Sequence, residues 1–183
     1  MESEKQELRW VLRAQAGDRE ALDELLRAVQ MPLYRYIYSL TNNTPLAEDI
    51  LQEVFVLIYR KLGWLREPEL FRPWAYRIAT REAFKFLKRE KRWKEQERDE
   101  EILLSLPAQQ PEMLAEILAA ELTAQLPQVI AGISPASRAV IVLHYLHELT
   151  LDEVAAVLGI APGTAKSRLA YGLEKLRQHV QKG

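Results

Sequence analysis

Five cations, Arg77, Arg81, Lys85, Lys88 and Arg92, follow one another at steps of four, four, three and four residues. On a helix that spacing puts all five on one face. Like charges at i,i+4 destabilise an isolated helix, and an external polyanion relieves the repulsion. Phe71, Trp74 and Tyr76 sit at the start of the stripe. Aromatic rings beside cations can stack unpaired bases, although most such rings belong to cores. A second cationic segment closes the chain, with five basic side chains and one acidic in residues 159–183. Enzyme chemistry finds less support. Without cysteine there is no thiolate metal site and no thiol nucleophile. The seven glycines include no G-x-G-x-x-G and no G-x-x-x-x-G-K-[ST], so neither common nucleotide cradle is present. His144 and His147 stand three apart, but His147-Glu148-Leu149-Thr150-Leu151 lacks the second histidine of a zinc-protease motif. They read as core or surface histidines. No catalytic residue, metal or cofactor is expected.

The chain around these residues has 183 positions, 48% apolar and 28% charged, which excludes a disordered polymer. The longest apolar runs, such as Ala139 to Leu143, are too short to span a bilayer. Met1-Glu2-Ser3-Glu4-Lys5-Gln6-Glu7 is acidic and polar, the opposite of a signal peptide. A soluble, cytoplasmic protein that is not an enzyme is expected. The net charge of −1 hides a pattern: residues 72–94 carry nine basic and two acidic side chains, residues 95–126 one basic and eight acidic. Two basic patches separated by an acidic stretch suit two contacts with a polyanion, most simply nucleic acid. Charge alone fits two solvated helix faces as well.

The periodicity is helical nearly everywhere. Leu22, Leu25, Leu26 and Val29 form a stripe after Gly17-Asp18, and Pro32 is expected to kink or interrupt the helix before it resumes to Leu40. Asn42-Asn43-Thr44-Pro45 reads as a turn that starts a helix over about 46–62. A further helix is expected over about 72–93. The pattern fails between Lys94 and Pro111, and helical stretches follow at 112–126, 135–146, 151–158 and 162–180. The predicted fold is all-α: two helical domains, 1–94 and 112–183, joined by a flexible acidic linker at 95–111.

The second domain carries the sharper local signal. Thr150-Leu151-Asp152-Glu153 is a capping box, Gly159 suits a left-handed helix end, and Ala161-Pro162 opens the next helix. Two helices joined so tightly form a helix-turn-helix, whose second helix enters the major groove. An ordinary helical hairpin with a solvated face is the alternative. On the second helix Ala165, Leu169, Gly172, Leu173 and Leu176 fall inward. Thr164, Ser167, Tyr171 and Lys175 point away with Arg168 beside them, a face suited to base edges and phosphates.

Residues 159–169, Gly-Ile-Ala-Pro-Gly-Thr-Ala-Lys-Ser-Arg-Leu, resemble the promoter-reading helix-turn-helix of bacterial sigma factors of the extracytoplasmic-function (ECF) type. Ser134 to Val140 resembles the start of the preceding helix in that family. Ala47-Glu48-Asp49-Ile50-Leu51-Gln52-Glu53-Val54-Phe55 is similar to the polymerase-binding motif, and Phe71 to Ala79 to the promoter-melting helix. The resemblance covers nearly the whole chain. It implies an initiation factor whose first domain binds core RNA polymerase and the minus-ten element and whose second binds the minus-thirty-five element. It also implies an anti-sigma factor as partner, which in this family is often membrane-bound and would hold the protein near the membrane.

By this resemblance Asp49, Gln52, Glu53 and Phe55 dock on the clamp helices of the polymerase large subunit. Asp49, Gln52 and Glu53 share one face with Arg60, while Ile50, Leu51, Val54, Phe55 and Ile58 cover the other side. Trp74, Tyr76, Arg77, Arg81, Lys85 and Lys88 meet minus-ten DNA, and the loop before the melting helix holds an extruded base. Thr164, Lys166, Ser167, Arg168, Tyr171 and Lys175 meet minus-thirty-five DNA. The chain departs from the family at Arg81, where asparagine is usual, at Lys85, where an acidic or polar residue is usual, and at Tyr171, where a basic residue is common. A freestanding helix-turn-helix regulator is the competing reading, but it has no need of the 47–55 motif. A nucleic-acid enzyme is a third reading, and the lack of any ligand or nucleophile constellation opposes it.

Overall fold

The computed structural model describes residues 2–89 and 132–180, the side chains of residues 2–4, 177, 179 and 180 excepted. The described residues form helices α1 (Glu2–Gln15), α2 (Arg19–Thr41), α3 (Thr44–Lys61), α4 (Phe71–Leu87), α5 (Pro135–Tyr145), α6 (Leu151–Leu158) and α7 (Pro162–Val180). Two 3-10 turns, Leu62–Trp64 and Pro68–Leu70, lead into α4, and no strand occurs among the described residues. The all-α expectation holds. Two compact units are present, Met1–Tyr38 with Asn43–Ala83, and Ser39–Asn42 with Phe84–Gly183. The expected linker at 95–111, the stretch 112–126 and Arg92 lie outside the described residues.

In the first unit α1 is an element that the apolar stripes singled out above do not include. It ends at Gln15, and Gly17 follows with a φ of +94° that costs a glycine little. Asp18 then caps α2: its Oδ1 accepts from Ala21 N at 3.1 Å, and its Oδ2 accepts from Arg13 Nε at 2.8 Å. The Ala21 amide, then the Arg13 guanidinium, hold its carboxyl below the usual carboxylate range. Helix α2 continues through Pro32, so of the two expected outcomes, a kink or an interruption, the interruption does not occur. The proline removes one backbone bond, at a cost of about 3 kcal/mol. Val29, Leu33, Tyr36, Ile37 and Leu40 on either side are all buried, and burial at about 1.5–3 kcal/mol per large apolar side chain outweighs that loss.

Helix α3 begins at Thr44, two residues earlier than the spacing suggests, because Asn43 Oδ1 accepts from Leu46 N at 3.0 Å and Pro45 occupies the first turn. Ala47, Ile50, Leu51, Val54 and Ile58 supply its buried stripe.

In the second unit α5, α6 and α7 pack against one another. Ser134 Oγ caps α5 by accepting from Ser137 N at 3.1 Å. Buried Arg138 donates from its guanidinium to the carbonyls of Ile133 at 2.8 Å, Ser39 at 3.1 Å and Leu40 at 2.9 Å. Gly172 is buried on α7, and a Cβ there would stand 2.5 Å from Ile141 Cδ1, so a hydrogen is what lets α5 approach. The capping box of α6 is formed: Thr150 Oγ1 accepts from Glu153 N at 3.3 Å, and Glu153 Oε2 accepts from Thr150 N at 2.7 Å. Gly159 closes α6 with a φ of +67°. Removing the cap by Thr150→Ala should destabilise the helix-turn-helix by about 1 kcal/mol. Urea unfolding followed by circular dichroism checks this, and an unchanged midpoint would show that the cap contributes nothing.

Candidate nucleic-acid interface

Helix α4 has two unlike sides. Phe71, Ala75, Ile78, Ala79, Ala83 and Leu87 are buried, while Arg77, Arg81 and Lys85 are exposed. Lys88 is exposed as well, in the turn that ends the helix, where its amide donates to Phe84 O at 3.0 Å. Four of the five stripe cations therefore stand on the surface together, and Arg92 lies outside the described residues.

The aromatics at the start of the stripe divide. Phe71 is buried, and Trp74 is half-buried with its ring 6.1 Å from that of Phe71. Tyr76 is 4% exposed, its ring edge-on to Tyr36 at 5.3 Å, so it is a core residue and not a base-stacking one. The reason is helical phase: Tyr76, Ala79, Thr80, Ala83 and Leu87 fall at i, i+3, i+4, i+7 and i+11. Thr80 Oγ1 donates to Tyr76 O at 2.7 Å and lies 2.7 Å from Tyr36 Oη. A hydroxyl has one proton, so Tyr36 is the donor to Thr80. Burial pushes both tyrosines well above their ordinary value.

Two attachments to α1 flank the segment before α4, and neither Glu7 nor Gln15 was singled out from sequence. Gln15 Nε2 donates to Leu62 O at 2.9 Å and Leu65 O at 2.8 Å. The buried Glu7 carboxylate accepts from Arg72 Nε at 3.0 and 2.8 Å, with Arg72 Nη2 at 2.7 Å. The available signal was the run Glu7, Leu8, Val11, Leu12 and Gln15, amphipathic at helical spacing.

On α3 Asp49, Gln52, Glu53 and Arg60 are exposed and Phe55 is half-buried. Val56 and Tyr59 extend this exposed side with apolar surface, and their spacing of seven and ten residues from Asp49 would have identified them. On α7 the expected inward residues Ala165, Leu169, Gly172, Leu173 and Leu176 are all buried. Lys166 is exposed, while Thr164, Ser167, Arg168, Tyr171 and Lys175 are half-buried. Ser167 Oγ donates to Gly163 O at 3.0 Å, and Lys175 Nζ lies 5.8 Å from the Tyr171 ring centre. His144 is structural, its Nδ1 bonded to Leu149 O at 2.7 Å. Among the described residues no group of three or more side chains can hold a metal ion, and no helix is long and apolar enough to cross a membrane.

These features define a helical protein with a cationic helix and a helix-turn-helix. Residues 25–93 match sigma-70 region 2, and residues 129–178 match sigma-70, region 4. The chain is 31% identical over 169 residues to the ECF RNA polymerase sigma factor SigE of Mycolicibacterium smegmatis, covering 91% of this chain and 65% of that protein. It is 30% identical over 173 residues to the ECF RNA polymerase sigma factor SigW of Bacillus subtilis, covering 90% of this chain and 91% of that one. Its fold matches CnrH, solved with the cytosolic domain of CnrY, with a TM-score of 0.70 at 20% identity over 97% of this chain and 98% of that one. It also matches the sigma factor RpoE of Bartonella quintana, solved with the anti-sigma factor NepR, with a TM-score of 0.64 at 21% identity over 87% and 96% of the two chains. The chain belongs to the ECF family of RNA polymerase sigma factors. It is an initiation factor, which gives core polymerase its promoter.

The buried tyrosine pair has a pH signature. Unfolding returns both phenols to a value near 10, so above about pH 10 the unfolded chain releases protons that the folded chain keeps. Stability is therefore full below about pH 10 and falls as pH rises beyond it. Tyr36→Phe with Tyr76→Phe should flatten this decline. Urea midpoints compared between pH 8 and pH 11 check it, and a slope equal to that of the parent would show that neither phenol contributes.

Proposed function

We propose that the first domain, residues 1–94, uses two surfaces. The exposed side of α3, with Asp49, Gln52 and Glu53 at its centre and Phe55 at its edge, docks on core polymerase. The exposed cations of α4, Arg77, Arg81, Lys85 and Lys88, hold the minus-ten strand, with the edge of Trp74 beside them; Tyr76 is excluded by its burial. The second domain, residues 112–183, reads the minus-thirty-five element through Thr164, Lys166, Ser167, Arg168, Tyr171 and Lys175, and residues 95–111 link the two. The loop before α4 holds an extruded base. Supporting the minus-ten reading is one observation: the α4 cations share an exposed side while the opposite side is buried, so the helix is fixed with its charge at the surface.

The factor acts by binding, is not itself an enzyme, and works in the cytoplasm. An anti-sigma factor is its regulator in this reading. One structure it resembles, RpoE with the anti-sigma factor NepR, is a complex of that kind.

Replacing Asp49, Gln52 and Glu53 together by alanine should weaken binding to core polymerase by at least about thirtyfold, the scale of losing an interface hot spot. Helicity should be unchanged, since all three are exposed. Fluorescence anisotropy with core enzyme reads this, and unaltered affinity in a folded triple variant refutes the docking side.

Arg81 supplies the second test. Asparagine offers both a donor and an acceptor on a short arm, whereas arginine is longer, always charged and donor-only. Arg81 therefore suits a guanine edge or a phosphate. Arg81→Asn should change the base preference at one minus-ten position and lower the logarithmic salt slope of open-complex formation by about 0.7. An identical preference and slope would mean that Arg81 does not touch the promoter.

A further inference from the structure

The sigma-70 region 2 match begins at residue 25, so the whole of α1, Glu2–Gln15, precedes it. This helix nevertheless attaches to both ends of the segment 62–72. Gln15 carries two N–H donors on one nitrogen, and that nitrogen bonds two main-chain carbonyls, Leu62 O at 2.9 Å and Leu65 O at 2.8 Å. Those carbonyls bound the 3-10 turn Leu62–Trp64, which closes on itself through Leu65 N to Leu62 O at 3.1 Å. Eight residues back along α1, a rise of about 12 Å, Glu7 receives the Arg72 guanidinium at 2.7 to 3.0 Å. Val11, fully buried, lies midway. Glu7, Val11 and Gln15 thus form one side of α1 at i, i+4 and i+8.

The segment's own backbone offers less restraint. Its short-range bonds, Leu65 N to Leu62 O and Leu70 N to Glu67 O at 2.9 Å, close 3-10 turns, whose hydrogen-bond geometry is poorer than that of an α-helix. Arg66, Glu67 and Glu69 are exposed between the two attachments. A site that selects a base needs its groups held to about half an ångström by supporting hydrogen bonds. In this segment the long-range support described above comes from α1.

We propose that α1 is a positioning element for minus-ten selectivity: Gln15 and Glu7 hold the segment 62–72 in the shape in which its exposed residues meet the extruded base. The proposal rests on the reading that this loop holds that base. Gln15→Leu keeps the bulk of the side chain and removes both donors, so the Leu62 and Leu65 carbonyls turn to water and the loop samples other shapes. The α3 docking side and the helix-turn-helix remain as they were.

The test uses the full-length factor with core polymerase and measures open-complex formation on two promoter sets, one varied only at the minus-ten element and one only at the minus-thirty-five element. With Gln15→Leu, the ratio of rates between preferred and disfavoured minus-ten bases should fall about tenfold, the scale of two lost hydrogen bonds. Core affinity and minus-thirty-five discrimination should not move. Glu7→Gln, which weakens the other attachment without removing its acceptor, should lower the same ratio by a smaller factor. Arg66→Ala and Glu69→Ala, made in the loop itself, test the underlying reading separately. Should they leave minus-ten preference unchanged, the loop does not hold the base and that reading fails. Should they alter the preference while Gln15→Leu and Glu7→Gln do not, the loop reading stands and the role given to α1 is overturned. If Gln15→Leu prevents cooperative folding, Glu7→Gln decides the matter, and an unchanged ratio there overturns the proposal.

Discussion

A helix that gathers cations on one side works against itself, and the first unit is organised around holding such a helix in place. Arg77, Arg81 and Lys85 are spaced at i,i+4, where each like-charge pair costs about 0.2–0.5 kcal/mol in an isolated helix. The opposite side offsets this several times over, because Phe71 and Ile78 are buried and each contributes about 1.5–3 kcal/mol. Packing alone does not fix rotation about the helix axis, and polar groups add that restraint. The chain from Tyr36 to Thr80 to the Tyr76 carbonyl ties the middle of α4 to α2 through two bonds of 2.7 Å. Arg72 meets Glu7 through two Nε contacts and an Nη2 contact at the start of the helix. With both restraints in place the cationic face of α4 has one direction in which to point.

The helix-turn-helix solves a different problem with smaller parts. Helix α6 has only eight residues, too few to be stable alone, so its ends matter more than its length. Thr150 and Glu153 close one end and Gly159 the other. Helix α7 must lie close to α5 to be held firmly, and Gly172 against Ile141 permits that approach. Buried Arg138 completes the unit by carrying its charge to three carbonyl oxygens, which is how a guanidinium can be kept out of water.

How far the sequence discloses this depends on whether one residue carries one meaning. The limits of α6 and α7 were legible because threonine, glutamate, glycine and proline each signal a helix end for a separate physical reason. The buried stripe of α7 followed from periodicity alone. Pro32 left a kink and an interruption both open because its local cost is visible in sequence, whereas the burial that outweighs it depends on tertiary packing. Tyr76 misled because an aromatic beside cations looks the same whether it stacks on a base or fills a core. Its phase with Ala79, Thr80 and Ala83 was the discriminating signal. Gln15 was illegible for a deeper reason. Its acceptors are main-chain carbonyls 47 and 50 residues away, and carbonyls leave no mark in a sequence.

The two proposed DNA surfaces also differ in a way that suits the two states of DNA they meet. On α7 the side chains are half-buried and several are engaged with their neighbours: Ser167 with the Gly163 carbonyl, Lys175 with the Tyr171 ring. Side chains held in this way lose little freedom on binding, and a duplex groove rewards fixed donors because its edges are fixed too. On α4 the side chains are more exposed and carry long stems. That arrangement suits phosphates whose positions change as strands separate, with Arg81 also able to meet a guanine edge. Base choice at the minus-ten element then draws also on a more rigid feature than the stripe. In the first unit the candidate is the segment before α4, whose carbonyls are held by Gln15 and whose far end is held by Glu7.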